Sequence, residues 1–440
     1  MSPAPVPAAR PDPLPIEPLA GRLDARVVVP GSKSATNRAL PVAAMAAGGS
    51  RLTGVLLSDD TEAMIHALRR AGCEIEVHDD GTTIDVYGQP VRSAEAGDEL
   101  CRLDARQSGT TARFLAPWCA LDGRRYVLDG APQLRTRPMG PGFDALRALG
   151  ATVIPVGDSP EHLPVQIQGP LTGGEVSLAA DVSSQFVSGL LMVGPVLPGG
   201  LRVRLTTAAV SEPYLDLTMA VMAEFGGHVQ REGERTYVVR AGRYVGRDVA
   251  IEPDASAASY FFAAAAICGG RVVVEGLGRN TVQGDLAFVD VLERMGCTVN
   301  MGSDATEVIG TGELGGVEVN LADLSDTAPT LAAVAAFARE PVRATGIGFI
   351  RAKETDRIAA AVAELRRLGV DAEEEDDGFV VRPSTPRGAV VHTYDDHRMA
   401  MSFALVGLRV PGVAISDPGC VAKTFPGYWD ALDHLRSQLA

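Results

Sequence analysis

Lysine is nearly absent from this chain of 440 residues: lysine and arginine together number 40, and only Lys33, Lys353 and Lys423 are lysines. Lysine is normally among the commonest residues, so its scarcity indicates that arginine has replaced it at most surface positions. A compact ammonium can approach a single phosphate or carboxylate oxygen, whereas a guanidinium is bulkier and stays charged. Scarcity alone leaves two interpretations open: three lysines that a function requires, or three chance survivors.

Further shortages exclude whole classes of protein. The formal net charge is −15, which makes nucleic acid and anionic membranes poor partners. No apolar run approaches the roughly 20 residues that span a bilayer, and the composition predicts a soluble globular protein.

The six cysteines show no CxxC spacing, so we expect neither a zinc site nor a disulfide framework, which fits a reducing cytoplasm. Residues 1–19, rich in Pro and Ala, lack an apolar segment and predict a loose tail, not a signal peptide.

A recurring pattern predicts a modular α/β fold, and the length suggests two domains. A helix-like segment that ends in glycine and passes directly into a strand-like segment occurs five times, and glycine fits the left-handed position just past a helix end. The five glycines are Gly72, Gly150, Gly226, Gly296 and Gly369. Their intervals of 78, 76, 70 and 73 residues, with a closing helix over 428–439, indicate six similar units. Convergence on a common turn is the alternative.

Small residues, hydroxyls and cations recur where apolar helices begin. Residues 30–38, Pro-Gly-Ser-Lys-Ser-Ala-Thr-Asn-Arg, follow a predicted strand over 25–29. Glycine and serine at a helix start can donate hydrogens to an anion, although the segment is not a Walker loop. Segments of the same kind lie at 107–113, 135–138, 181–185 and 211–214. Each alone is also compatible with ordinary helix capping.

Three charged segments lie nearer the end of the chain. Five of the seven residues at 351–357 are charged, and in a helix Lys353 and Arg357 would share a face; a surface lattice of ion pairs is the alternative. Asp395, Asp396 and His397 resemble metal ligands, but no second His–carboxylate cluster accompanies them, so we expect no metal. The acidic run 373–377 predicts the solvated tip of a hairpin.

Taken in order, these segments resemble the enolpyruvyl transferase family over residues 14–440, specifically its branch acting on shikimate 3-phosphate. The motifs are Pro-Gly-Ser-Lys-Ser, Ser-Ser-Gln, Lys-Glu-Thr-Asp-Arg, Asp-His-Arg-Met-Ala-Met and Ala-Lys-Thr-Phe-Pro. The resemblance implies an inside-out α/β barrel of two domains, each with three βαβαββ units around a pseudo-threefold axis. It implies a flexible tail at 1–13, a first domain of 14–31 plus 250–440, and a second domain of 32–249. Helix N-termini of both domains would point into the cleft and attract anions.

The resemblance also implies a reaction, the sixth step of the shikimate pathway towards chorismate and aromatic amino acids. The enolpyruvyl group of phosphoenolpyruvate would move to the 5-hydroxyl of shikimate 3-phosphate, and phosphate would leave. Protonation at C3 makes C2 electrophilic, so the reaction needs an acid, a base and a cationic clamp, but no cofactor or metal. We expect a cytoplasmic monomer that binds these two small molecules, neither nucleic acid nor membrane, and that closes around its substrates.

The site residues implied by the resemblance fall into two overlapping groups. Contacts to shikimate 3-phosphate are Lys33, Ser34, Arg38, Ser183, Ser184, Gln185, Ser211, Tyr214, Asp326 and Lys353. Contacts to phosphoenolpyruvate are Lys33, Gly109, Arg137, Gln185, Arg357, Arg398 and Lys423. Glu354 would protonate C3, and Asp326 would take the hydroxyl proton through Lys33. All three lysines would therefore face anionic substrates.

Three positions depart from the family pattern. The family often has Asn where this chain has Gln107, Pro where it has Phe114, and Asn or His where it has Phe349. The difference at Phe349 puts a polar contact to the shikimate hydroxyls in doubt. Gly109 matches the glycine associated in the family with sensitivity to glyphosate, because a side chain there would crowd the inhibitor. We therefore expect a glyphosate target whose pocket Phe114 could reshape.

Two alternatives compete with this interpretation. The sister branch, which acts on UDP-N-acetylglucosamine, has Asn after the early lysine and a reactive Cys five residues before the Arg matching Arg137. Here those positions are Ser34 and Pro132. A catalytically silent anion-binding protein on the same scaffold would be favoured if Asp326 or Glu354 were missing, and both are present.

Overall fold

The computed structural model describes residues 10–88 and 100–440, so residues 1–9 of the predicted tail lie outside the described residues. The strands are β1 Leu14–Pro15, β2 Leu23–Val27, β3 Gly48–Thr53, β4 Glu74–Val77, β5 Thr83–Gly88, β6 Leu100–Asp104, β7 Arg125–Asp129, β8 Thr152–Pro155, β9 Val165–Gln168, β10 Gly174–Leu178, β11 Leu201–Leu205, β12 Val229–Glu232, β13 Thr236–Val239, β14 Asp248–Ala250, β15 Gly270–Glu275, β16 Thr298–Met301, β17 Ala305–Gly310, β18 Val317–Asn320, β19 Val342–Thr345, β20 Ala372–Glu375, β21 Gly378–Val381, β22 Val390–Val391 and β23 Ala414–Ile415.

Helices alternate with the strands along the chain. They are α1 Lys33–Met45, α2 Asp59–Arg70, α3 Gly109–Trp118, α4 Pro132–Arg135, α5 Gly140–Ala148, α6 Ser184–Val193, α7 Pro213–Glu224, α8 Ala255–Cys268, α9 Phe288–Arg294, α10 Ala328–Ala335, α11 Arg357–Arg367, α12 His397–Gly407 and α13 Tyr428–Ser437. Short 3-10 helices lie at Gly194–Val196, Gly284–Ala287, Ser325–Thr327, Gly348–Ala352 and Pro418–Lys423. Within the described part of the chain, no helix is both long and apolar enough to cross a membrane.

The described residues form six sheets, and each contains one parallel pair of strands. In five sheets an antiparallel hairpin continues from that pair, in the orders β14-β3-β5-β4, β6-β7-β9-β8, β10-β11-β13-β12, β2-β15-β17-β16 and β18-β19-β21-β20. The sixth sheet, β1-β23-β22, has only three strands, because the chain leaves β23 for α13 instead of forming a hairpin. The acidic run does lie at a hairpin, between β20 and β21.

The glycines that predicted the repeat do end helices in the left-handed region. The φ values of Gly72, Gly150, Gly226, Gly296 and Gly369 are 99°, 99°, 85°, 104° and 82°. A side chain is strained at such angles, whereas glycine is not. In three of the five cases a strand starts two residues later, as Glu74 does after Gly72, and in the other two it starts three residues later. The predicted α/β fold class is confirmed.

Two hydrophobic cores divide the chain. One core draws its residues from 35–251 and the other from 14–29 and 255–435. The chain passes between them at two antiparallel segments, where the Ser32 amide donates to the Glu252 carbonyl at 2.7 Å and the Asp254 amide donates to the Pro30 carbonyl at 2.8 Å. We call the parts built on these cores the two halves. Their division supports the domain boundaries expected from the sequence, which remain a proposal.

Gly31 is required by the packing of this crossing. A Cβ atom on Gly31 would lie 1.8 Å from the Gly54 carbonyl oxygen, so any side chain would displace the backbone. Glycine in this motif therefore serves the close approach of two segments. The anion-binding role of the segment rests on the residues that follow.

Candidate active site

Six helices begin around a cleft between the two halves. They are α1, α3, α6, α7, α11 and α12, and serine or aspartate side chains cap five of them through Ser32, Ser108, Ser183, Asp356 and Asp396. These caps explain why the sequence motifs look like ordinary helix starts. Because helix N-termini carry partial positive charge, their convergence suits the cleft to anions.

The first of two adjoining cavities brings together all ten residues expected to contact shikimate 3-phosphate. It is lined by Lys33, Ser34, Arg38, Ser183, Ser184, Gln185, Ser211, Tyr214, Asp326 and Lys353, and also by Thr110, Val182, Val210 and Phe349. Phe349 closes one wall, and the Lys353 Nζ lies 5.9 Å from its ring centroid. Burial lowers the pKa of Lys353 to about 8, although Asp326 opposes the shift. An anion that approaches Lys353 would therefore raise this pKa again and stabilise the charged ammonium form.

Arg38 is almost wholly buried beneath this cavity. Its guanidinium donates to the Thr218 hydroxyl at 2.8 Å and to the Ser34 carbonyl at 2.9 Å. It stacks over the ring of Phe114 with 5.1 Å between the guanidinium carbon and the ring centroid. Burial lowers the pKa of Arg38 to about 10. Phe114, one of the positions that depart from the family pattern, thus packs directly against the Arg38 guanidinium.

The second cavity contains six of the seven residues expected to contact phosphoenolpyruvate. It is lined by Lys33, Gly109, Arg137, Gln185, Arg357 and Arg398, and also by Asp60, Thr110, Asp326, Lys353, Glu354 and His397. Lys423 lies just behind this lining, with its Nζ 3.8 Å from Glu354 Oε1. Lys33, Thr110, Gln185, Asp326 and Lys353 face both cavities, so one continuous cleft is lined by all the predicted site residues except Lys423.

The cations of the cleft pair with its own carboxylates. Arg357 donates to Asp396 and to Glu354, each at 2.8 Å, and lies 3.2 Å from Asp326. The Arg398 Nη2 lies 2.5 Å from the same Asp326 carboxylate. The cations and carboxylates of the cleft therefore form one connected network of ion pairs.

Asp326 and Glu354 are ionised in this arrangement. Burial alone would raise the pKa of Asp326, but Arg398, Lys353 and other cations hold it well below its usual range. Burial would likewise raise the pKa of Glu354, but Arg357 and Arg137 hold it well below the usual range. Anions that neutralise these cations would remove that effect and make both carboxylates better proton acceptors.

Asp60 is a site residue that the sequence reasoning missed. It is buried and joins two of the three lysines, with its carboxylate 2.9 Å from the Lys423 Nζ and 3.3 Å from the Lys33 Nζ. Lys423 and Lys33 outweigh the effect of burial and lower the pKa of Asp60. In sequence Asp60 belongs to the acidic first turn of α2, which is indistinguishable from ordinary helix capping.

His397 and Arg113 were noticed in the sequence but not assigned to the site. His397 lines the second cavity, and burial, followed by Arg398, lowers the pKa of His397 well below its usual range. Arg113 donates to Gln185 Oε1 at 2.9 Å. Among residues 10–88 and 100–440 no cluster of three His, Cys, Asp or Glu side chains, around His397 or elsewhere, could hold a metal ion.

Lys353 and Arg357 do not share one helical face. The charged segment ends a 3-10 helix at Ala352, and α11 begins only at Arg357, after the Asp356 cap. The aspartate side chain accepts hydrogen bonds from the first amides of α11, which stops the helix from extending backwards. The two cations meet at the cleft because the chain turns there.

The two halves are in direct contact beside the cavities. The Arg137 Nη1 lies 3.5 Å from Glu354 Oε1, and Lys423 donates to the Gln107 carbonyl at 3.0 Å. The side-chain amides of Gln107 and Gln133 both donate to the Asp395 carboxylate, at 3.1 and 2.7 Å. The cleft is therefore bounded by both halves at once.

Comparison with known proteins gives a consistent result. The family model described as EPSP synthase (3-phosphoshikimate 1-carboxyvinyltransferase) matches residues 19–432. A 3-phosphoshikimate 1-carboxyvinyltransferase from a Nostoc species is 44% identical over 413 residues, which cover 92% of this chain and 95% of the relative. One from Methanoculleus marisnigri is 43% identical over 413 residues, covering 94% and 97%.

Solved structures agree with the sequence matches. An EPSP synthase structure from Acinetobacter baumannii has a TM-score of 0.80 at 28% identity and covers 96% of this chain and 97% of its own. An enolpyruvyl transferase from Streptomyces tendae has a TM-score of 0.75 at 20% identity, with the same coverage, and at that identity shows the shared fold alone.

Proposed function

Since the chain belongs to the EPSP synthase family of 3-phosphoshikimate 1-carboxyvinyltransferases, we propose that the two adjoining cavities hold its two substrates. The enzyme transfers the carboxyvinyl group of phosphoenolpyruvate to the 5-hydroxyl of shikimate 3-phosphate, in the pathway to chorismate and the aromatic amino acids. Shikimate 3-phosphate occupies the first cavity and phosphoenolpyruvate the second. Lys33 stands between them and contacts both.

One observation carries this assignment: an excess of buried positive charge where the cavities meet. Eight cations surround them, namely Lys33, Arg38, Arg113, Arg137, Lys353, Arg357, Arg398 and Lys423. Five carboxylates oppose them, namely Asp60, Asp285, Asp326, Glu354 and Asp396. A buried excess of charge is costly unless it is paired. The two phosphates and two carboxylates of the substrates supply the missing counter-charge.

Two of these carboxylates, Glu354 and Asp326, carry the proton transfers of the proposed mechanism. Glu354 takes up a proton once the substrate anions offset Arg357 and Arg137, and it then protonates C3 of phosphoenolpyruvate, so C2 becomes oxocarbenium-like, while Asp326 receives the 5-hydroxyl proton through Lys33. Elimination then returns the C3 proton to Glu354 as phosphate leaves, and the hydroxyl proton departs with that phosphate. Arg137, Arg357 and the other clamp cations stabilise the transferring charge, which is the largest catalytic effect expected in such a site.

Three further properties remain proposals. We expect a cytoplasmic monomer that does not bind nucleic acid, which the acidic net charge of −15 supports. The domain boundaries at 31/32 and 249/250 are supported by the division of the two cores. Glyphosate is expected to bind in the second cavity, beside Gly109.

Two substitutions, one in each cavity, test the assignment of the substrates. Ser184 lines only the first cavity, and a hydrogen bond to a charged group is worth about 1.5–3 kcal/mol. We therefore expect Ser184→Ala to raise KM for shikimate 3-phosphate about tenfold and to leave KM for phosphoenolpyruvate within about twofold.

Gly109→Ala has the opposite expected effect, and each variant is the control for the other. A Cβ atom at Gly109 would lie 2.7 Å from Arg137 Nη1 and 2.8 Å from its Cζ, so the guanidinium must move. KM for phosphoenolpyruvate should rise while KM for shikimate 3-phosphate stays near wild type. Steady-state kinetics with one substrate varied at a time measures both; if both variants raised the same KM, the assignment would be wrong.

A further inference from the structure

A buried carboxyl group, Asp285, lies behind the first cavity and has no part in the mechanism above. It is the second residue of the 3-10 helix at Gly284–Ala287 and is almost wholly buried. Its Oδ2 accepts hydrogen bonds from the Ser256 hydroxyl and from the Tyr214 hydroxyl, the latter at 3.1 Å. Its Oδ1 is buried without a hydrogen-bond partner. A buried carboxylate that lacks full hydrogen bonding is costly, so this position needs an explanation.

The Tyr214 hydroxyl lies between two carboxyl groups. It is 3.1 Å from Asp285 Oδ2 and 3.3 Å from Asp326 Oδ2. A phenol carries one proton, so it can donate to only one of the two carboxyl groups at a time. Tyr214 thus connects Asp285 to the proposed base.

The surroundings of Asp285 make its charge sensitive to pH. The ionisable groups that face it are Tyr214 on α7, Asp254 at the start of α8, Asp326 on the neighbouring 3-10 helix, and Arg398 on α12. Burial, with a smaller effect of Asp326, raises the pKa of Asp285 to about 6, while Arg398 and the Ser256 hydrogen bond oppose the shift. Asp285 therefore gains its charge as the pH rises through about 6, whereas Asp326 is already ionised in the unliganded cleft.

We propose that Asp285 is a positioning residue which sets the basicity of Asp326 by competing with it for the Tyr214 hydroxyl proton. The proposal rests on the role of Asp326 as the base that receives the 5-hydroxyl proton. When Asp285 is ionised, Tyr214 donates to it, so Asp326 loses one stabilising hydrogen bond and gains a nearby like charge. Both changes raise the affinity of Asp326 for a proton. Tyr214 keeps its own proton throughout, and only its hydrogen bond changes partner.

Asp285→Asn tests this directly, because an amide keeps the shape and cannot ionise. In the wild type, kcat should fall as the pH drops through about 6, since protonated Asp285 returns the Tyr214 hydrogen bond to Asp326. In Asp285→Asn, kcat at pH 8 should fall about tenfold, corresponding to one pKa unit in Asp326, and the decline near pH 6 should disappear. Both KM values should stay near wild type.

Ser256→Ala gives a second, independent test, with Ser259→Ala as its matched control. Removal of the Ser256 hydroxyl takes away a hydrogen bond that favours ionised Asp285, so the decline in kcat should move to higher pH with full activity recovered above it. Ser259 lies on the same helix and is also buried, but its hydroxyl donates to the Ser256 carbonyl at 2.6 Å. Its variant should leave the pH profile in place.

Two results would overturn the proposal: a wild-type pH profile in Asp285→Asn, or identical profiles in Ser256→Ala and Ser259→Ala. If Asp285→Asn fails to fold, the serine pair decides. Asp326→Asn separates this failure from a failure of the proposed function. Near-normal turnover in that variant would remove Asp326 as the base, whereas lost turnover with an unchanged Asp285→Asn profile would overturn only the role of Asp285.

Discussion

Glu354→Gln should bind both substrates and lose about 1,000-fold or more in kcat, because general acid catalysis typically contributes 10²–10⁴-fold. The amide keeps the shape of the side chain and can still accept hydrogen bonds from Arg357, which lies 2.8 Å away. It cannot supply a proton to C3 of phosphoenolpyruvate. Calorimetric titration of each substrate and phosphate-release kinetics would measure binding and turnover separately.

A control for this change lies in the helix that follows. Glu364 of α11 is fully buried, accepts from the Tyr394 hydroxyl at 2.7 Å and lies outside both cavities. Glu364→Gln makes the same chemical change and should cost stability rather than turnover. If Glu354→Gln retained kcat within a few-fold of wild type, Glu354 would not be the proton donor.

Replacement of any of the three lysines by arginine should lower kcat/KM about 100-fold or more, since a guanidinium cannot occupy the place of a compact ammonium. Lys423 shows why. It is almost wholly buried, and its Nζ donates to the Asp60 carboxylate at 2.9 Å and to the Gln107 carbonyl at 3.0 Å. A planar group with five donors would overfill that space and push Asp60 away from Lys33.

The opposite exchange on the surface provides the control, because this chain has no surface lysine. Arg26 has a side chain that is 62% exposed and pairs with Glu275 at 2.8 Å. Arg26→Lys should leave kcat/KM unchanged, as exposed ion pairs contribute little. Wild-type kinetics in Lys33→Arg, Lys353→Arg and Lys423→Arg would restore the interpretation that the three lysines survived by chance.

The sequence predicts the fold and most of the cleft because the relevant signals are local. A glycine such as Gly150 ends a helix through its own backbone angle, so its spacing could be seen without any tertiary contact. The segments around Lys33 and Ser184 combine a cap with a functional side chain, and the family resemblance separates the two roles. The order of these segments along the chain indicates the family, which no single segment does.

The remaining features depend on contacts between residues far apart in the chain. Asp60 meets Lys423 across 363 residues, and its local sequence resembles any acidic first turn. Tyr214 joins Asp285 and Asp326, which come from two different segments of the other half. The spacing of Lys353 and Arg357 would place them on one face of a helix, but the Asp356 cap starts the helix only at Arg357.

The central claim is that this cleft joins phosphoenolpyruvate to shikimate 3-phosphate, and release of inorganic phosphate measures it most directly. The purified protein should be supplied with phosphoenolpyruvate together with shikimate 3-phosphate or with UDP-N-acetylglucosamine. The account predicts rapid release that requires both phosphoenolpyruvate and shikimate 3-phosphate, and no release with the nucleotide sugar. Release with UDP-N-acetylglucosamine, or none with either acceptor, would contradict it.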